Sequence, residues 1–163
     1  AEVRLVATGV NSSGDAFERG TSLAFQISPN TVALNGSYSD TPEPRWPGAS
    51  IYQALNVSVD VNVNTTGSYG LSAELVDAAG NTVAHTNVIS DLTSGAGTLT
   101  LRFDGADIYE SQRDGPYRLT NLLLTDHNGA ALVVQEAQNV YTTAAYRYRD
   151  FRTGDLFLPV IMR

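Results

Sequence analysis

The clearest pattern along this chain is an alternation of apolar and polar residues between positions 55 and 75. From Leu55 to Val63 every second residue is apolar and the residues between them are polar, which is the period of a strand that buries one face. The run from Tyr69 to Leu75 alternates in the same way, and the polar loop 64–67, which ends in glycine, separates the two runs. These features predict an antiparallel hairpin at the centre of the fold.

Shorter runs of the same kind lie on both sides of this hairpin. They predict further strands at residues 2–10, 22–27, 31–38, 82–89, 97–103, 117–125, 131–135, 140–148 and 156–161. Asp77–Asn81 is predicted to form a tight turn, Asp104–Tyr109 a turn or one helical turn, and the Asn-Gly pair in Asp126–Gly129 a second hairpin. Roughly ten strands joined by turns predict an all-β fold, in which two antiparallel sheets pack as an immunoglobulin-like or jelly-roll-like β-sandwich.

The stretch from Ser39 to Ser50 is the least regular part of the chain, with three prolines and the only tryptophan, Trp46. Because proline lacks a backbone N–H and restricts the residue before it, we predict an extended loop here. The 163 residues fit a single β-sandwich domain. Within it we expect N-terminal strands and the proline-rich loop at 1–50, a core at 51–151 and a C-terminal strand at 152–163.

The composition excludes several classes of chemistry. The chain contains no cysteine and no lysine, and all ten basic residues are arginine, so disulfides, thiolate catalysis and lysine Schiff bases are excluded. The net charge of −7 opposes binding to nucleic acid and to anionic membranes, and no apolar run has the length of a membrane span. An acidic surface rich in Ser, Thr and Asn is typical of an extracellular or cell-surface protein. A chain that begins at Ala1 is expected to be a processed mature form or a domain of a longer protein.

Few residues are candidates for catalysis. His85 and His127 are the only histidines, and the sequence has neither a G-x-S-x-G elbow nor an H-E-x-x-H zinc motif. We interpret both histidines as surface residues and predict that the chain is not an enzyme. A glycosidase-type pair of Asp and Glu stays open, because the sequence does not give the carboxyl separation that this mechanism requires.

Three carboxylates form a candidate calcium site. Asp104, Asp107 and Asp114 lie in neighbouring predicted turns, and oxygen-rich loops are a common way of binding Ca²⁺. The alternative interpretation is that each aspartate accepts hydrogen bonds from the backbone of its own turn. Calcium is the one cofactor that the sequence brings into consideration.

Aromatic residues form a candidate binding surface for sugars. Trp46 lies in the proline-rich loop, with Tyr38 and Tyr52 nearby in sequence, and the three rings could form a platform for stacking a glycan. The alternative is that Trp46 covers the edge of the core. The tyrosines of the 140–148 run are interpreted as core or strand-pairing residues, one of which bonds to nearby backbone as in a tyrosine corner.

The block from Ile51 to Phe151 resembles a β-sandwich module of secreted bacterial and archaeal cell-surface proteins and peptidases. The motifs that carry the resemblance are Tyr52–Leu55, Gly67–Leu71, Leu75–Gly80, Leu99–Gly105, Asp114–Tyr117, Tyr141–Tyr146 and Asp150–Phe151. The resemblance implies an immunoglobulin-like accessory unit without catalytic activity. Members of that group often carry a calcium-loop-like Asp/Gly stretch before the first strand, where this chain has Pro44–Gly48.

The terminal runs are candidate assembly segments, because an open strand edge can pair with another protein. The residues concerned are Val3 and Leu5 near the start and Leu156, Phe157, Leu158, Val160 and Ile161 near the end. We expect a non-catalytic extracellular structural or interaction module that contacts other copies of itself or other surface domains, and that builds a filament if the contact runs head to tail. The alternatives are a carbohydrate-binding module and an accessory domain of a secreted peptidase or glycosidase.

Overall fold

The computed structural model of the chain describes residues 2–24 and 30–152. These ranges contain ten strands, one α-helix, α1 (Gly105–Ser111), and one 3₁₀ helix (Tyr148–Phe151). The strands are β1 (Glu2–Val10), β2 (Ala16–Ala24), β3 (Val32–Pro44), β4 (Tyr52–Val63), β5 (Gly67–Val76), β6 (Thr82–Leu92), β7 (Gly95–Asp104), β8 (Arg118–Asp126), β9 (Leu132–Ala137) and β10 (Tyr141–Thr142).

Two antiparallel sheets form the sandwich. One has the strand order β3-β4-β7, and the other has the order β10-β8-β5-β6 with β9 paired to β8. The core lies between them, and it includes the buried apolar residues of β4, β5, β7 and β8. The predicted all-β fold of about ten antiparallel strands is therefore confirmed. Among the described helices, none is long and apolar enough to cross a membrane.

The remaining two strands form a separate hairpin, which we call the N-terminal ribbon (Glu2–Ala24). Strands β1 and β2 pair antiparallel from Glu2 opposite Ala24 to Val10 opposite Ala16. Every residue of the ribbon is exposed except Gly9, which is partly buried. The first predicted strand is confirmed, whereas the predicted strand 22–27 begins earlier, at Ala16, and residues 25–27 lie outside the described ranges.

The predicted central hairpin is wrong in its pairing, although both of its strands exist. Leu55, Val57, Val59 and Val61 of β4 are fully buried, as the alternation predicted. However, β4 pairs with β3 and β7, while β5 pairs with β6 and β8. The connection after Val63 therefore crosses from one sheet to the other. Alternation predicts which face of a strand is buried, but it carries no information about which strand lies beside it.

The predicted loop at 39–50 is wrong in its first half, because β3 continues through Pro44. Strand β3 lies at the edge of its sheet. On an edge strand, a proline can place its nitrogen on the solvent side, where no hydrogen bond between strands is lost. The chain then turns between β3 and β4, and the Arg45 N–H donates to the Ile51 carbonyl at 3.0 Å.

The predicted strand at 140–148 is also wrong over most of its length. Only Tyr141 and Thr142 pair with β8, and the chain then leaves the sheet and enters the 3₁₀ helix at Tyr148. By contrast, the turn Asp77–Asn81 and the hairpin at Asp126–Gly129 are confirmed by the β5–β6 and β8–β9 pairings. The predicted C-terminal strand, with Leu156, Phe157, Leu158, Val160 and Ile161, lies outside the described residues.

Candidate functional site

The three candidate calcium ligands occupy separate structural positions. Asp104 caps the N-terminus of α1, where its Oδ1 accepts from the Ala106 N–H at 2.8 Å. Asp107 lies in the first turn of α1, and Asp114 Oδ1 accepts from the Tyr148 N–H at 3.0 Å. Across residues 2–24 and 30–152, no group of three or more His, Cys, Asp or Glu side chains is arranged to hold a metal ion. Calcium binding stays a prediction from the sequence, without a ligand cluster that supports it.

The candidate sugar platform is distributed over two kinds of environment. Tyr38 stacks on Tyr141 with ring centroids 5.8 Å apart. Tyr52 meets Tyr146 edge-on at 6.5 Å and is tilted against Phe151 at 5.5 Å. Both tyrosines are therefore partly buried in aromatic contacts at the margin of the core. Trp46 is 45% exposed in the loop between β3 and β4, which leaves its ring accessible to a ligand.

A shared carboxylate joins the two sheets near these rings. Asp40 on β3 accepts hydrogen bonds from the hydroxyls of Tyr141 and Tyr146. Burial, followed by the nearby Asp40 carboxylate, raises the pKa of Tyr141 to about 12 and also raises the pKa of Tyr146. The sequence placed Asp40 in a loop and gave no signal for this contact. A tyrosine-corner contact was predicted for the 140–148 run. The hydroxyls that donate to a backbone carbonyl four residues earlier are instead those of Tyr69 and Tyr117.

Another carboxylate, Asp77, is buried and fixes the turn between β5 and β6. Its Oδ1 accepts from the backbone N–H groups of Ala79 and Asn81, and its Oδ2 forms a 2.6 Å ion pair with Arg113. Hydrogen bonds from Asn81, together with the bond from Arg113, lower the pKa of Asp77 from 3.8 to about 2. The turn is thereby tied to the segment that follows α1.

We expect this carboxylate to contribute to acid stability. Because its pKa is lower in the folded chain, its stabilisation is fully present above about pH 4 and is lost as the pH falls toward 2. Asp77→Asn should lower the melting temperature at neutral pH, and the difference from the wild type should close as the pH approaches 2. Melting curves at several pH values test this, with the exposed Asp91→Asn as the control. A difference that stays constant with pH would contradict the assignment.

Both histidines lie beside a shallow groove on the outer face of the five-stranded sheet. Its floor is β5, whose outward residues Gly70 and Ser72 are small, and its cavities of about 430 and 180 Å³ share Ser72 as a lining residue. His85 lines the larger cavity and His127 the smaller. A Cβ on Gly70 would lie 2.7 Å from His127 Nε2, so glycine at this position allows the imidazole to pack across the strand.

An arginine-lined pocket lies at the end of the three-stranded sheet where β3 ends and β4 begins. Its volume is about 240 Å³. The lining residues are Arg45, Gln53, Arg102, Asp104 and Arg152. Sequence reasoning missed this pocket, because its residues are scattered over more than 100 positions without a common spacing.

The N-terminal ribbon has one apolar face. The pairing places Val3 opposite Leu23, Leu5 opposite Thr21 and Gly9 opposite Phe17. Since paired residues point to the same side and alternate along each strand, one side of the ribbon carries the large apolar residues Val3, Leu5, Phe17 and Leu23, all exposed. Ala7, Thr21 and Arg19 lie on the same side. Val6 and Val10 lie on the other side with Arg4 and Glu18. The candidate assembly residues Val3 and Leu5 are thus exposed to solvent on the apolar face.

Comparison with known proteins gives a family but no activity. A family model described as the C-terminal domain of a domain of unknown function, DUF4785, matches residues 44–143. No curated protein matches the chain.

Two solved structures are similar to the chain at 16% identity. A DUF4785 family protein from Legionella pneumophila aligns with a TM-score of 0.49 over 91% of this chain and 35% of its own. A β-D-mannosidase from Dictyoglomus thermophilum aligns with a TM-score of 0.42 over 74% of this chain and 14% of its own. The chain thus spans about a third of the length of the Legionella protein. Since the family model covers more than half of the sequence, from the end of β3 to just beyond β10, the chain belongs to the DUF4785 family.

Proposed function

We propose that the chain is a non-catalytic interaction module of the cell exterior that associates with a second copy of itself through the N-terminal ribbon. The observation that carries this proposal is the apolar face of the ribbon, where Val3, Leu5, Phe17 and Leu23 are exposed to solvent. A two-stranded hairpin without a packed face is marginally stable in water. A covering partner would therefore stabilise the ribbon as well as join two molecules.

The energetics favour burial of this face. Fully burying one large aliphatic or aromatic side chain contributes about 1.5–3 kcal/mol. Four such side chains on each copy are a substantial driving force, although association also costs translational and rotational freedom. Face-to-face packing of two ribbons buries the same patch on both copies, which is the arrangement of a two-fold symmetric dimer.

The distribution of charge favours a second copy of the chain as the partner that covers the apolar face of the ribbon. The chain carries a net charge of −7, so most of its surface repels another copy at long range. The ribbon is nearly balanced, with Glu2, Asp15 and Glu18 against Arg4 and Arg19. Two molecules therefore meet with the least repulsion at their ribbons. The outer edge of β1, which pairs only with β2 in the described ranges, is also open for the strand addition expected from the sequence.

Light scattering coupled to size-exclusion chromatography tests the proposal. We expect the wild-type chain to elute as a dimer or larger assembly at high concentration, and Leu23→Ser to shift it to monomer. The matched control is Val10→Ser, because Val10 is 66% exposed and Leu23 69% exposed, but the two lie on opposite faces of the ribbon. This control should assemble like the wild type.

Two outcomes would contradict the proposal. One is a wild-type chain that stays monomeric at high concentration. The other is equal loss of assembly in Leu23→Ser and Val10→Ser, which would show that the apolar face has no special part in the contact. Circular dichroism of both variants shows whether the sandwich remains folded, so that unfolding is not mistaken for dissociation.

A further inference from the structure

The arginine-lined pocket concentrates positive charge in an acidic protein. The whole chain has ten basic residues, all arginine. Three of them, Arg45, Arg102 and Arg152, line this one cavity of about 240 Å³. They come from the β3–β4 loop, from β7 and from the segment after the 3₁₀ helix. The fold therefore brings cations together that are far apart in the sequence.

Two of the polar groups in the pocket are held in place by Glu43. Arg102 Nε donates to Glu43 Oε2 at 2.8 Å, and Gln53 Nε2 donates to Glu43 Oε1 at 2.6 Å. The hydrogen bond from Arg102 is the main cause of a lowered pKa at Glu43. The bond to Glu43 uses one of the five N–H donors of Arg102. The guanidinium is thus oriented while it keeps donors for a ligand.

We propose that this pocket binds the carboxylate of a uronic-acid residue in an acidic polysaccharide. The guanidinium group presents a planar fork of donors that matches a carboxylate in two parallel hydrogen bonds. A volume of about 240 Å³ lies below the roughly 300–1,000 Å³ of pockets for drug-sized ligands. The cavity therefore suits one sugar ring, with the rest of the polymer outside.

Two further features favour an acidic sugar over a simple anion. Asp104 also lines the pocket, and its carboxylate can accept a hydrogen bond from a sugar hydroxyl, a donor that a sulfate ion lacks. Trp46 directly follows Arg45 and is 45% exposed. An indole ring of this kind offers an apolar surface to the C–H groups of a pyranose ring. The pocket thus offers donors for a carboxylate and an acceptor for a hydroxyl, and an exposed indole follows one of its arginines in the sequence.

Titration calorimetry with an oligogalacturonate tests the proposal. We expect the wild-type chain to bind this oligomer, and a neutral oligogalactoside of the same length to bind at least tenfold more weakly. Arg102→Gln and Arg152→Gln should each weaken binding at least tenfold. The matched control is Arg147→Gln, which makes the same change in net charge at an exposed residue whose side chain forms no capping hydrogen bond. Its affinity should equal that of the wild type.

Several results would overturn the assignment. They are absence of binding to the oligogalacturonate, equal binding of the neutral oligomer, and a loss in Arg147→Gln as large as in the pocket variants. Full competition by inorganic phosphate at equal concentration would show a general anion site and would also overturn it. Arg102→Gln also removes the ion pair with Glu43 and could disturb the fold. Arg152→Gln leaves that ion pair intact, so its effect on binding decides the outcome if Arg102→Gln misfolds. Repeating the titration with Leu23→Ser separates ligand binding from self-association.

Discussion

Phe151→Ala should lower the free energy of unfolding by about 3–5 kcal/mol, the range for removing a buried phenylalanine ring from a core. Phe151 is fully buried at the end of the 3₁₀ helix. The centroid of its ring lies 5.5 Å from the ring centroid of Tyr52 and 5.9 Å from that of Tyr146. Truncation would leave a cavity among residues that tie the last described segment to β4. Denaturant unfolding monitored by tyrosine and tryptophan fluorescence measures the change.

The comparison variants make this prediction specific to the ring. Phe151→Leu keeps most of the apolar volume, so it should cost clearly less than the alanine variant. Arg147→Ala lies just before the same 3₁₀ helix, is exposed and makes no capping hydrogen bond, so its effect should stay within about 0.5 kcal/mol. A loss below about 1 kcal/mol in Phe151→Ala would contradict docking of this segment onto the core.

The buried face of each central strand could be read from the sequence, because burial depends on a local alternation. The valines of β4 and the apolar residues of β5 are buried as expected. Pairing depends on which distant segment completes each sheet, and this is a property of the whole chain. The short polar link after Val63 has the same composition whether it closes a hairpin or crosses between sheets.

The loop predicted from the prolines of 39–50 is wrong in its first half for a related reason. Pro42 and Pro44 would break a central strand, but β3 is an edge strand, where the missing donor costs little. A strand lies at an edge when no other strand pairs with one of its two sides. This depends on distant segments of the chain, so the local sequence pattern does not predict it. The same holds for the predicted strand 140–148. Its tyrosines favour a strand, but the sheet pairing ends with β10, and the Tyr146 hydroxyl donates to Asp40 on β3.

The position of a candidate residue could be predicted only where it follows from the pattern of one element. Val3 and Leu5 follow from the alternation of β1, and the structure shows them exposed on one face of the ribbon. The arginine pocket joins a loop, two strands and the segment after the 3₁₀ helix, so its side chains converge only after the sandwich has formed. Asp104 was singled out for calcium, and the structure gives it a different position, at the cap of α1 and the wall of that pocket.

Asp40→Ala is expected to lower the free energy of unfolding by about 2–4 kcal/mol. Hydrogen bonds to a charged group contribute about 1.5–3 kcal/mol each, and the partial exposure of Asp40 and both tyrosines reduces the sum for two bonds. The carboxylate accepts from the hydroxyls of Tyr141 and Tyr146 and thereby connects β3 to β10 and to the chain that follows it. Its removal should leave two partly buried hydroxyls without their acceptor. Asp60→Ala is the matched control, because Asp60 lies on the same sheet but accepts from a threonine hydroxyl, Thr98 Oγ1, at 2.7 Å.

The titration of the tyrosines separates this carboxylate from an ordinary stabilising residue. In the wild type the pKa of Tyr141 is raised from 10.0 to about 12, by burial and then by Asp40. A raised pKa in the folded chain gives stability that is present below about pH 10 and is lost as the pH rises toward 12. The stability difference between wild type and Asp40→Ala should therefore shrink above pH 10. Tyrosinate absorbance should show two phenols ionising at lower pH in Asp40→Ala and no such change in Asp60→Ala. An unchanged absorbance titration in Asp40→Ala would mean that the carboxylate does not hold these hydroxyls in solution.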